Sequence, residues 1–162
     1  MSSGSGIKIA DDIKVAYNHT LMKPKKNEEG SKLRYVIIKF NEKNDGLELV
    51  DRTEGIEQEG VKSYVDVISS LPDNDVRYVF YDFPFLTKAS DAKSSKVICV
   101  SWHPQGSTVK RRMLCASTFS ALKTACKIQA NESVEGDDAS DVDVDTILKK
   151  IGGKSAILDT YA

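Results

Sequence analysis

Between Val76 and Phe83 the chain reads Val-Arg-Tyr-Val-Phe-Tyr-Asp-Phe, and six of those eight side chains are apolar or aromatic. A strand with one wet face alternates polar and apolar residues; this one does not, so both of its faces must be covered. That forces a layered fold, with other elements packed on each side of a sheet. The remaining segments supply the layers. Ala10 to Met22 spaces Ile13, Tyr17 and Leu21 four residues apart behind Asp11 and Asp12, which predicts a helix with acidic residues at its positive end. Arg34 to Phe40 is a strand, and Asn44-Asp45-Gly46 turns it into Leu47-Glu48-Leu49-Val50 as a hairpin. Val61, Val65 and Ile68, with Tyr64 and Leu71 alongside, mark a second helix ending at Pro72. Beyond the polar loop or hairpin tip Thr87 to Ser95, a further strand runs from Lys96 to Trp102. A long helix opens after Pro104, Lys127 to Asn131 reads as a short strand, and Glu132 to Asp145 reads as an acidic exposed segment. Val144 to Ile151 is a short last helix, stopped by Gly152-Gly153. The expected class is α/β of the α+β type: a mixed central β-sheet flanked by helices on both faces.

A chain of 162 residues fits one domain whose core needs no disulfide or metal. Its net charge of −1 argues against bulk attraction to nucleic acid, so any basic function must be local. No stretch approaches the roughly 20 apolar residues of a membrane span, and no apolar run follows a basic segment at the N-terminus. Cys99, Cys115 and Cys126 match no zinc spacing and read as reduced, small core residues. These features predict a cytoplasmic protein. The run Lys23-Pro24-Lys25-Lys26 reads as a solvated charged loop, with a nuclear-import signal as the other reading.

The chemistry of catalysis is not visible. His19 and His103 are far apart and sit in no nucleophile or metal motif, and the glycine pair follows a helix, where it cannot cradle a phosphate. The aspartates at 137, 138, 141, 143 and 145 lack the sixth-position glycine and twelfth-position glutamate of a calcium loop. No enzyme, cofactor or metal site is expected.

The long helix carries two stripes. Leu114, Cys115, Thr118, Leu122 and Ala125 form a core stripe, and Met113, Ala116, Ser117, Ser120 and Thr124 line the far side. The second strip, flanked by Lys110, Arg112 and Lys123, suits docking onto an acidic grooved surface. Composition alone equally allows a solvated face with one stray methionine.

The segment from Pro104 to Thr118 resembles the long actin-binding helix of the ADF/cofilin family, with Cys115 in place of the usual Tyr and Thr118 in place of the second Ser. Leu71-Pro72-Asp73 leading into Arg77-Tyr78 and Asp82 resembles the family's central strand, and Ser5-Gly6-Ile7 its regulatory N-terminus. Val97 to Pro104 and Ile151-Gly152-Gly153 extend the likeness over nearly the whole chain. The resemblance implies one ADF-homology domain over residues 7–158, a flexible regulatory N-terminus over 1–6 and a tail over 159–162. It also implies a monomer that binds actin monomers and filaments and promotes severing and depolymerisation in the cytoplasmic actin cytoskeleton. Carried over residue by residue, the monomer-facing set is Ser5, Gly6, Ile7, Lys110, Arg112, Met113 and Ser117, with Arg111 ranked lower because it projects toward the core. The filament-facing set is Lys93, Lys96, Lys149 and Lys150; Lys149 departs from the acidic-basic pair common at the last two positions. Ser5 is the matching phosphorylation site for a regulatory kinase and phosphatase, with Ser3 as the ambiguity. Phosphoinositide headgroups would be met by Lys110, Arg111, Arg112 and Lys123. Two other readings remain: a coactosin-like filament binder without depolymerising activity, and a phosphoinositide-binding peripheral protein.

Overall fold

The computed structural model describes residues 7, 9–21, 35–52, 64–88 and 92–154. Ser3, Ser5, Gly6, the charged loop after Lys23, Val61 and the tail 159–162 therefore lie outside the described residues. Among the described residues six strands form one sheet: β1 (Tyr35–Phe40), β2 (Leu47–Arg52), β3 (Arg77–Thr87), β4 (Lys93–Trp102), β5 (Ser133–Gly136) and β6 (Gly153–Lys154). Their order is β2-β1-β3-β4-β5, with β6 pairing the end of β3. Pairings are antiparallel except β4 with β5, so the sheet is mixed.

The central strand is β3, and it is buried on both faces from Tyr78 to Phe85. Tyr78 and Phe80 face one layer with Val36, Ile38 and Phe40, covered by α1 (Asp11–Leu21) and α3 (Val109–Cys126). Val79, Tyr81 and Phe83 face the other with Tyr35 and Ile37, covered by α2 (Tyr64–Ser69) and α4 (Val144–Ile151). The two-residue period of the strand sorts its side chains between the layers. Buried polar tips are satisfied across them: the Tyr78 hydroxyl donates to the Cys115 carbonyl at 2.5 Å and that of Tyr64 to the Val142 carbonyl at 2.5 Å.

Four local expectations change. The β3 and β4 arms run into the expected polar tip, which places Lys93 opposite Leu86 on a strand. Pro84 is tolerated there because it falls between the residues of β3 that pair β1 and those that pair β6, where a missing N–H interrupts no ladder. Lys127–Asn131 is not a strand: Lys127 caps α3 in the left-handed region at φ 56°, and a 3-10 turn follows at Ala130–Glu132. The strand is β5, inside the segment expected to be exposed; Ser133, Val134, Gly136 and Val142 are all buried. Finally, α2 buries Tyr64, Val67 and Ile68 and turns Val65 outward.

Two contacts set where α3 begins. The Trp102 indole N–H donates to the Pro72 carbonyl at 2.7 Å, fixing the end of β4 to the loop before β3. Gly106 then passes so close to that loop that a Cβ would sit 2.2 Å from the Asp73 carbonyl oxygen. Only glycine allows this approach.

Candidate partner-binding surfaces

Helix α3 starts at a Thr108 cap, whose side-chain oxygen accepts from the Arg111 amide at 3.2 Å. It buries Cys115, Thr118, Phe119, Leu122 and Cys126. The inward stripe is therefore rotated from the expected one: Leu114 and Ala125 are half-buried, while Phe119 enters and stacks on Tyr78 with centroids 5.7 Å apart. Phe119 lies four residues after Cys115 and was legible at helical spacing.

The outer face matches expectation. Met113 is 68% exposed, and Ala116, Ser120 and Thr124 are exposed beside it. Ser117 is half-buried, its hydroxyl donating to the Leu114 carbonyl at 3.2 Å. Val109, 69% exposed and one turn before Met113, is a second protruding apolar side chain that sequence reasoning missed. Lys110 is exposed; Arg112 is half-buried, and its Nε is hidden without a hydrogen-bond partner among the described residues.

The basic side chains do not share one face. Arg111 turns inward, donating to the carbonyls of Phe40 at 3.4 Å and Asn41 at 3.3 Å, and its guanidinium lies 5.9 Å from the Phe40 ring centroid. Lys123 lies over the Phe119 ring at 4.6 Å, and it follows Lys110 by thirteen residues, about 220° around a helix. The four cations expected to meet one phosphoinositide headgroup thus diverge. Ile7 also departs from an exposed role: it is 5% exposed and packed in the core under α1 and α3, where it anchors the chain.

The second set gathers at the other end of the sheet. Lys93 pairs with Leu86, and Leu86 pairs with Lys154 of β6, which follows directly on α4. Lys149 and Lys150 in the last turn of α4 are exposed, but the Lys150 ammonium donates to the Ser133 carbonyl at 2.7 Å and so also ties α4 to β5. Lys96 is half-buried opposite Phe83. The first turn of α3 follows the Trp102 end of β4, whereas Lys93 opens the other end of that strand.

At the α3 end, the Gln105 amide donates to Asp137 at 3.0 Å and holds that carboxyl below the usual range. A groove of about 280 Å³ opens between α2 and the start of α4, lined by Val65, Ile68, Val142 and Asp145 among others. Among the described residues, no group of three or more His, Cys, Asp or Glu side chains could hold a metal, and no helix is long and apolar enough to cross a membrane.

Comparison with known proteins gives a consistent result. Residues 6–152 match the model of the family described as cofilin/tropomyosin-type actin-binding protein. The chain is 33% identical over 156 residues to actin-depolymerizing factor 4 of Oryza sativa subsp. japonica, covering 93% of this chain and 98% of that protein. It is 30% identical over 149 residues to a cofilin of Ogataea parapolymorpha, covering 92% and 94%. Its fold matches the crystal structure of Streptomyces griseoflavus cofilin with a TM-score of 0.71 at 24% identity, over 92% of this chain and all of that one. Coactosin from Entamoeba histolytica shares the fold with a TM-score of 0.68 at 16% identity, covering 91% and 96%.

Proposed function

Because the chain belongs to the cofilin/tropomyosin-type family of actin-binding proteins, we propose that it binds actin monomers and filaments and promotes filament severing and depolymerisation. The observation that carries this reading is the outer face of α3, where Val109 and Met113 protrude from a strip of small side chains beside Lys110 and Arg112. A well-buried inner face leaves this strip exposed among the described residues. An apolar anchor flanked by cations suits an acidic partner groove. No bond-making is required: a protein that prefers a twisted filament shifts the filament's conformational equilibrium by differential affinity, and junctions with bare segments then break. Its place is the actin cytoskeleton of the cytoplasm. Phosphoinositide regulation, on this reading, falls to Lys110 and Arg112, which flank the strip on opposite sides, rather than to one cluster of four cations.

Replacing Lys110 and Arg112 together by Ala should weaken monomer binding, since charge-assisted hydrogen bonds contribute about 1.5–3 kcal/mol each. Co-sedimentation with filaments, reading actin in both pellet and supernatant, gives the companion measurement. Unchanged monomer affinity at an unchanged melting temperature removes the α3 surface from the proposal. Pelleting with filaments without release of actin to the supernatant would instead favour the coactosin-like reading.

A further inference from the structure

We infer that Arg111 is a positioning residue that sets the pose of the first turn of α3, and through it the placement of Lys110, Arg112 and Met113; the link to binding rests on the actin reading above. Position 111 lies on the inward stripe, four residues before Cys115 and seven before Thr118, where a core helix would carry an aliphatic side chain. Nothing apolar takes that place. Val109 and Lys110 point to solvent, and the first fully buried side chain of the helix is Cys115. The first turn is held instead by polar contacts, from the Thr108 cap behind it and from Arg111 across it.

Arg111 spans three parts of the fold. Its two terminal nitrogens donate to the carbonyls of Phe40 and Asn41, where β1 enters the hairpin turn. One of them lies 4.0 Å from the Asp75 carboxylate in the loop before β3. That carboxylate is itself fixed by Arg77 at 2.7 Å. The counter-charge therefore cannot swing away, and the planar fork of an arginine can serve both the two carbonyls and the carboxylate where an ammonium cannot. The Gly106 approach to Asp73 and the Trp102 bond to Pro72 deliver α3 to the same junction. A face whose first turn is held in advance loses less freedom on binding, which strengthens association without adding a contact.

The test compares Arg111→Met, Arg111→Lys and Asp75→Asn with the unaltered chain. Arg111→Met keeps the apolar stem and removes the donors. Amide hydrogen exchange of the free protein should quicken at residues 112–115 by about tenfold, while residues 118–126 and the melting temperature barely change. Actin-monomer affinity should fall by a similar factor, with Arg111→Lys and Asp75→Asn in between. Unchanged exchange at 112–115 overturns the inference, as does uniformly faster exchange with a lowered melting temperature, which would make Arg111 a general stability residue. Faster local exchange with full monomer affinity overturns the link to binding, provided the Lys110 and Arg112 double variant has lost affinity. If that double variant also binds normally, the actin reading has failed, and the exchange data alone decide what Arg111 does.

Discussion

Cys99, Cys115 and Cys126 are buried in one layer of the core, and burial pushes all three thiols up, Cys126 to about 11. The sign of the consequence follows from which state keeps its protons. As pH rises past the ordinary thiol value of 9.0, the unfolded chain ionises first while the native state stays protonated. Stability is therefore fully present below about pH 9 and falls as pH climbs toward 11. Burial raises the hydroxyls of Tyr17, Tyr64 and Tyr78 as well, which adds to the loss in the same direction. Urea unfolding at pH 8, 9.5 and 10.5 should show this decline, and the native thiols should resist an aromatic disulfide reagent at pH 8. A flat profile, or rapid labelling of the folded protein, contradicts the buried, protonated assignment. Asp75 is the opposite case. Burial disfavours its charge, but the hydrogen bonds from Arg77 and the Val76 amide, with the nearby Arg77 and Arg111 charges, outweigh this and hold the carboxyl below its usual range.

At the level of elements, α4 was readable because its ends are local. Asp143 caps it, accepting from the Thr146 amide at 2.8 Å, and Gly152 closes it in the left-handed region at φ 72°. Gly153 then passes against the Phe85 ring, where a Cβ would sit 2.6 Å from the nearest ring atom, and opens β6. This turn carries the end of α4 to the β3–β4 arms, and it is why residues as distant in sequence as Lys93 and Lys149 can serve one edge. Changing both to Glu should lower co-sedimentation with filaments and spare monomer binding, because α3 starts from the end of β4 opposite Lys93. Measuring the two activities on the same preparation settles it: an equal fall in both means that the surfaces are not separate. The strand β5 was not readable. It has four residues, two of them Glu135 and Gly136, and among the described residues its one sheet neighbour is β4, more than thirty residues earlier in the chain. Local pattern carries no trace of such a pairing.

The molecule as a whole brings Ile7 into the same layer as α3, in the core that α1 and α3 cover. In the sequence Ser5 stands two residues before Ile7 and Ser3 four. A phosphate carries about −1.5 to −2 charges, and near a surface chosen for an acidic partner it repels that partner and must also be desolvated. Ser5→Glu should therefore weaken monomer and filament binding well beyond any effect of Ser3→Glu, while thermal stability holds. Wild-type affinity for Ser5→Glu, or a larger loss at Ser3, would show that the switch is elsewhere. By itself, the sequence determined that β3 must be covered on both faces, that α3 carries two apolar stripes, and where α1, α3 and α4 lie. Those features follow from side-chain period and from caps within a few residues, and short-range physics writes them locally. Only the tertiary structure decided the parallel seat of β5, the length of the β3–β4 arms, the distant partners that the inward-facing Arg111 finds and the burial of Ile7. Each depends on which distant backbone offers a carbonyl, a ladder or a covered surface, and the chain acquires those neighbours only by folding.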